Sequence, residues 1–478
     1  MSGLPSLEND PAERERKRRR HRNERIVAAV VILLVLAVTL TVMYWERIET
    51  KALRSDKRYI PEPVTMTPEV TMLQELVRID SSKPEGVAAA ARYIAAYLQR
   101  NGIRTELIES APSMLNVYAR IEGEQPGGAL LLFNHIDVVP PGEGWKRAPP
   151  FEARIWGDEL IGRGTVDMKG LAVCQLAAFV EIAKSGRKPA HDIAFLATAE
   201  EEQGSRLGMQ WLLANRPDLF EGVAYGITEG GVTEIMGEQM TYFGIEIGGK
   251  QYVQTVVTAP TRETLKESRI ALEPFIFSRL PDRVLPEVRT HFAQLAPTRI
   301  AFRGLLADID ATIRNGQFYR LPPPYRSLVQ NNLITGPPER AGEQWQMSVT
   351  LLNLPDEDPD RRVAWLESVV APVGARVQVV WKEGPVPLAS YDTRLFNLLA
   401  AEARERYKVQ AGVQVLYRSA SDARFLRTRG IAAYGISPFP VTYYQSITIH
   451  HEDEAITIGA FQEGVKYLRN VVKAWAFE

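Results

Sequence analysis

Apolar residues recur every three or four positions in "EVTMLQELVRI" and in "EGVAAAARYIAAYLQRNG". That spacing lays one greasy stripe along a helix, and Gly102 stops the second helix. Between such stretches stand short uninterrupted apolar runs, "GALLLFNHIDVVP" and "DIAFLATA", which predict strands buried on both faces. The helix "GLAVCQLAAFVEIAKSG" separates these two strands. Alternation of this kind predicts an α/β sheet covered by helices, with its chemistry on the loops at the strand ends. After "EIGGKQYVQTVVTAP" the texture changes: a Pro- and Arg-rich stretch over residues 260–345 leads to the strands "QWQMSVTLLNLP" and "ARVQVVWK" around the helix "DPDRRVAWLESVVAPVG". A second α/β block then opens with "LFNLLAAEARERY" and closes with "GAFQEGVKYLRNVVKAWAF". The pattern divides the chain into a first catalytic segment (66–248), an inserted α+β domain (249–384) and a second catalytic segment (385–478).

The N-terminal end follows a different pattern. A basic tail (1–25) precedes "IVAAVVILLVLAVTLTVMYW", twenty residues at 26–45 without a charge, and a Pro-punctuated tether follows (46–65). The run is long enough to span a bilayer, and it lacks the small-residue cleavage site of a signal peptide. The excess of Lys and Arg before it predicts a single-pass anchor, a transmembrane helix in the cytoplasmic (inner) membrane, N-terminus cytoplasmic and catalytic domain periplasmic or extracytoplasmic. Elsewhere composition is ordinary, with 45% hydrophobic and 24% charged residues and a net charge of −1, which offers nucleic acid no general attraction. Cys174 is the single cysteine. A disulfide framework and a thiolate metal cage are therefore excluded within one chain, and any metal must use His, Asp or Glu.

Such residues stand where apolar runs end. His135 and Asp137 alternate in "FNHIDVVP", so they project to one side, where the Asp can accept a hydrogen bond from one imidazole nitrogen while the other binds metal. A core His beside a convenient Asp is the plainer alternative. Asp167, in "GRGTVDMKG", sits among glycines at the mouth of a helix, where an N-cap is the ordinary reading. Glu200, Glu201 and Glu202 follow "DIAFLATA"; their mutual repulsion would be relieved by a dication, leaving one carboxylate free for proton transfer, although a solvated acidic loop is the common case. Glu229 ends "AYGITEGG", and His450 and His451 precede an acidic turn. Two hydrolytic zinc ions need a shared carboxylate with His and acid on each side, and this inventory supplies those types.

Together "NHIDVVPPGEGW", "DELIGRGTVDMKG", "TAEEEQGS", "ITEGG", "SDARFLRTRGIAAYGI" and "HHEDEAI" resemble, in order and spacing, the dinuclear zinc peptidases and deacylases that include aminoacylase, carboxypeptidase S and succinyl-diaminopimelate desuccinylase. The resemblance runs from Met66 to the C-terminus. It implies that His135, Asp167 and Glu229 hold one Zn2+, that Asp167 shares the second with Glu202 and His450, and that Co2+ or Mn2+ can substitute. It further implies Asp137 as orienter of His135, Glu201 as general base, Glu200 as structural, a cis peptide after Asp167, and a ferredoxin-like lid through which the chain can pair as a homodimer.

The inserted domain departs from that pattern. Relatives carry a Gly-His-Ser segment whose His stabilises the oxyanion; here the aligned stretch is "VVTAPTRETLKE", and His291, the only His between 249 and 383, is expected on the surface of a helix. Asn353 stands where the family's carboxylate-clamping Arg belongs, which removes a fixed cation. Arg424 in "SDARF" remains as a substrate contact, unless it merely pairs with Asp422 or another acid. The reading that follows is a membrane-anchored metallohydrolase cleaving a peptide or N-acyl amino acid. The alternative is a zinc-retaining, catalytically weak binding or assembly module.

Overall fold

The two apolar runs form neighbouring strands at the centre of a mixed sheet. In the computed structural model, which describes Arg19 and residues 65–478 apart from 232, 237–238, 277, 279–280 and 417–420, β3 (Gln125–His135) lies beside β6 (His191–Thr198) in parallel. The sheet continues with β7 (Val223–Thr228) and β16 (Ala432–Gly435), also parallel. Outside this block lie β2 (Met114–Ile121) and β1 (Thr105–Ala111) on one side, antiparallel, and β9 (Gln239–Gly248) and β15 (Gln410–Val415) on the other. Short β8 (Thr233–Met236) adds to β9. A separate three-stranded sheet joins β4 (Arg154–Trp156), β5 (Glu159–Ile161) and β17 (Ala455–Thr457).

Helices cover the large sheet: α1 (Pro68–Val77), α2 (Pro84–Arg100), α3 (Lys169–Lys184), α7 (Arg394–Tyr407) and α8 (Ile458–Phe477). The inserted region contributes α4 (Arg262–Ile276), α5 (Pro286–Leu295) and α6 (Pro359–Val370). Nearly every residue of α3 is buried. A helix apolar on all sides must have partners on all sides, and α3 has α8 and α1 besides the sheet.

The inserted region builds its own antiparallel sheet in the order β11 (Asn332–Thr335), β13 (Gln344–Asn353), β10 (Gln251–Ala259) and β14 (Arg376–Lys382), with β12 (Glu339–Ala341) added to β13. Helices α4 and α6 pack on it around Val253, Val257, Leu265, Leu272, Leu351 and Leu366. This is the ferredoxin-like strand order.

Residues between α4 and β11 leave that sheet. Helix α5 puts Val288, Phe292 and Leu295 into the same apolar cluster as Tyr242, Val413 and Val415 of the large sheet. The unpaired N–H groups of edge strand β15 are taken by side chains of α5: Val413 N donates to Gln294 Oε1 at 2.8 Å and Val415 N to His291 Nδ1 at 3.1 Å. His291 is thus buried rather than a surface residue, and burial lowers its pKa to about 4, which keeps Nδ1 an acceptor at neutral pH. A His that serves a strand edge leaves no periodic signature, so the sequence pattern gave no hint of this role. The chain therefore passes between the large sheet and the lid four times: at Gly248, on either side of α5, and after Lys382.

The expected membrane anchor is corrected here. No helix among the described residues is long and apolar enough to cross a membrane. Apart from Arg19, the tail, the run at 26–45 and the tether to residue 64 lie outside those residues. Helix α8 spans 20 residues, but Glu463, Lys466, Arg469 and Lys473 interrupt it. The single-pass topology, the membrane as a partner and the extracytoplasmic placement rested on hydropathy and charge pattern and are withdrawn.

Replacing Gln294 with Ala should orphan the Val413 N–H and cost about 1–3 kcal/mol, read as a lower urea midpoint without change in slope. His291→Phe should remove the His291 share of the stability loss as pH falls from 6.5 towards 4, because a depressed His pKa contributes stability fully only above that window.

Candidate metal centre

Strands β6, β3, β7 and β16 run in one direction, so their carboxyl ends share one edge of the sheet, where loops leave the core and ligands bind in α/β folds. His135 is the last residue of β3, Glu201 and Glu202 follow β6 in a short helical turn, and Glu229 follows β7. Asp167 arrives from the loop ahead of α3, and His450 from the segment ahead of β17.

These side chains meet. His135 Nε2 lies 3.2 Å from Asp167 Oδ1 and 3.4 Å from Glu229 Oε1. His450 Nε2 lies 2.9 Å from Asp167 Oδ2 and 3.3 Å from Glu202 Oε2. Two triads result, His135–Asp167–Glu229 and Asp167–Glu202–His450, each with one ligand atom per residue within 4.8 Å of the others. Asp167 belongs to both, one oxygen turned to each imidazole. Glu202 Oε1 is buried with no hydrogen-bond partner; a buried carboxylate oxygen left in that state is costly unless something cationic takes it. Each triad offers one imidazole and two carboxylates, a donor set suited to zinc and tolerant of Mn2+ or Co2+.

The electrostatics agree with that fit. Burial raises Asp167, but hydrogen bonds from the two imidazoles outweigh it and hold the carboxyl far below its ordinary range. Burial, reinforced by Asp167, pushes Glu229 up to about 7. Hydrogen bonds to Asp167 and Glu202 raise His450 to about 10. For His135 burial works downwards, yet Glu229 and Asp167 hold it well above the usual imidazole value. Protons on the imidazoles here do what dications would do, neutralising converging acids.

Around the triads stands a shell of fixed partners. His135 Nδ1 faces the Asp137 main-chain carbonyl at 2.9 Å, while the Asp137 carboxylate is 3.7 Å away. That carboxylate instead accepts the Glu201 and Glu202 N–H groups at 3.0 and 3.1 Å. Asp137 thus orients His135 through its backbone and the acidic turn through its side chain, a division invisible in strand alternation because β3 ends at His135. Glu200 accepts from Leu207 N at 2.6 Å and serves the loop.

Glu454 closes the "HHEDE" motif that carries the family resemblance, and it is the most heavily bonded acid of the site. Fully buried, it accepts from Arg163 Nη1 at 2.6 Å, Gly164 N at 3.0 Å, Val166 N at 2.9 Å and Asp167 N at 3.2 Å. Gly164 has φ +89°, and a Cβ there would stand 2.8 Å from Val138; the turn that offers these donors needs glycine. The peptide between Asp167 and Met168 is cis. A buried Arg and Glu in partnered motifs, "GRG" and "HHEDE", was the available signal.

A cleft of about 1050 Å³ opens over the triads, with Tyr252, Gln254, Val380 and Trp381 of the lid opposite Glu201, Glu202 and Arg206. Arg424 lines it, 3.6 Å from Glu383 and stacked over Phe425 at 4.6 Å; its acid partner is Glu383, since Asp422 engages Ser205 and Thr198. Asn353 lies buried away from the cleft, donating to Gln251 at 3.0 Å and accepting from Arg362 at 3.1 Å.

A two-triad carboxylate–imidazole centre at the strand ends of a mixed sheet, under a ferredoxin-like lid, defines a metal-dependent hydrolase. Comparison gives the same class: the description of peptidase family M20/M25/M40 matches residues 131–474, and the chain belongs to that family. It is 41% identical over 159 residues to the succinyl-diaminopimelate desuccinylase of Methylobacterium sp. (strain 4-46), covering 32% of this chain and 39% of that protein. The corresponding enzyme of Bradyrhizobium sp. (strain ORS 278) is 34% identical over 184 residues, 36% of this chain and 46% of its own length. Both alignments span less than half of the relative. In three dimensions the fold is similar to the M20 family metallo-carboxypeptidase Sso-CP2 from Sulfolobus solfataricus (TM-score 0.66, 20% identity, 86% of this chain and 99% of that one). Human carnosine dipeptidase 1 is also similar (TM-score 0.65, 16% identity, 84% and 95%). Dinuclear metal dependence is the norm of this family.

Metal uptake must expel protons from His450 and His135, so zinc affinity should tighten as pH rises towards 10, with proton release measurable by calorimetry in buffers of different ionisation enthalpy. The apo protein should move oppositely: the His450 pairing contributes fully below pH 6.5 and fades as pH climbs through about 10. Glu454→Ala leaves Arg163 buried without its partner and should cost about 3–5 kcal/mol, read by denaturation alongside reduced zinc content.

Proposed function

We propose that this protein is a dinuclear zinc amidohydrolase that uses water to cleave a peptide or N-acyl amide bond, releasing an amine and a carboxylate. The observation that carries this reading is Asp167, presenting one oxygen to each of two His–carboxylate sets, with Glu201 one residue from Glu202 and on the same cleft wall. His135, Asp167 and Glu229 would hold one ion, and Asp167, Glu202 and His450 the other. The chemistry such ions supply when bound is polarisation of a carbonyl and acidification of water.

The chain's own residues supply the rest. Glu201 takes the proton of the attacking water and returns it to the leaving nitrogen. Burial lifts its proton affinity, and although His135 works against this, the nearby Glu229, Asp422 and Glu202 carry it well above the ordinary carboxylate range. A carboxylate so placed holds a proton long enough to deliver it. The Asp137 carboxylate keeps Glu201 aimed by bonding its N–H. Arg424 contacts substrate from the cleft wall. A base beside the donor set is superfluous in a module that only binds, which favours hydrolysis.

Glu201→Gln should lower turnover of N-acyl amino acids or dipeptides by at least about a hundredfold while zinc content stays at two per chain. Loss of a zinc with the mutation would make Glu201 a ligand, and undiminished turnover would remove it from the mechanism.

A further inference from the structure

From Leu171 to Val180 helix α3 is apolar at every position but one, Gln175, which is fully buried. An amide in such surroundings is costly unless its hydrogen bonds are made. Gln175 makes them all to the backbone and side chains of the sheet: Nε2 donates to the Phe133 and Ile227 carbonyls, each at 3.1 Å, and Oε1 accepts from Asn134 Nδ2 at 2.9 Å. Two carbonyls can be met only by the NH2 end of the amide, which fixes its orientation.

Those carbonyls stand where the sheet divides. Strands β3 and β7 pair from Ala129 and Val223 only as far as Leu132 and Ile227, whereas β3 stays with β6 to His135 and β7 stays with β16 to Thr228. The gap opens between β3 and β7. Past it, two residues on from each bonded carbonyl, come His135 and Glu229, which share a triad with Asp167 in the loop leading into α3. Gln175 thus bonds the stems of two donors and grows from the helix that the third precedes. Among the described residues it makes no hydrogen bond to the segments bearing Glu202 and His450, which complete the other triad. Asn134, immediately before His135, gives a donor to Gln175 while its own buried Oδ1 has no partner. An oxygen left in that state detracts from stability, so stability alone is a poor account of the pair.

Resting on the reading of these side chains as metal donors, we propose that Gln175 is a positioning residue for the ion of His135, Asp167 and Glu229, holding β3 and β7 at the separation that this ion requires. Two hydrogen bonds from one nitrogen set the width of the gap, where apolar packing would tolerate a range of widths. The ion of Asp167, Glu202 and His450 does not depend on it.

The test is zinc titration of metal-free full chains in which one triad has been removed. With His450→Ala the His135 triad is the complete one, and with His135→Ala the complete one is that of His450. Adding Gln175→Met, which keeps the length and removes the amide, should weaken zinc binding roughly ten- to hundredfold in the first chain and leave the second unchanged. Phe179→Leu is the control for a core that is merely loosened: it lies one turn further along the same face of α3, against Phe195 at 5.8 Å, and should lower the urea midpoint without moving either zinc affinity. Should Gln175→Met not fold, Asn134→Ala takes its place, and should show the same selectivity at smaller amplitude. The proposal is overturned if the substitution leaves zinc binding to the His450→Ala chain unmoved, if both triads weaken alike, or if Phe179→Leu weakens the His135 triad as much. If either single-triad chain takes up no zinc before Gln175 is touched, the donor reading itself fails and the proposal fails with it.

Discussion

The molecule is organised around the convergence of acids on one point. Asp167, Glu201, Glu202 and Glu229 come from separate segments into a space where burial penalises each negative charge. Carboxylates this close cannot all remain ionised unless positive charge comes among them. Two imidazoles supply part of it, and the shared Asp167 joins the two halves. The surrounding architecture prevents relaxation: Asp137 ties down the acidic turn, and Glu454 ties down the backbone leading to Asp167. The sheet contributes by bringing four strand ends to one edge. Structural stability is here subordinate to holding like charges where they would otherwise separate.

Most of this was legible because it is written at strand ends. His135, Glu201, Glu202 and Glu229 each follow an apolar run, and a polar residue at the carboxyl end of a buried parallel strand has few places to go except the cleft. Asp167 and His450 were harder, since glycine-rich and acidic loops are usually just loops; only motif order joined them to the rest. What the sequence concealed were connections with no periodicity: Asp137 serving His135 through a carbonyl, Glu454 reaching back to Arg163, and His291 buried against a strand edge. Each depends on side chains meeting across long separations. The apolar run at 26–45 teaches the reverse lesson, because hydropathy and flanking charge suggested a topology that no helix among the described residues supports.

The two halves of the site are built differently. On the sheet side every position needed for two triads is present and close. On the lid side Asn353 lies in a buried network with Gln251 and Arg362, away from the cleft. This separates two kinds of constraint, one imposed by metal and water, the other by whichever amide enters.

Helix α5, docked on β15 from within the lid's own sequence, has a further consequence. A domain joined by two strands can be exchanged between relatives as a cassette. Here the segment that would travel with the lid also shields an exposed strand of its host, so a swap would strip the recipient or donor of that shield. A lid grafted without α5 would leave the Val413 and Val415 N–H groups of that strand without their acceptors.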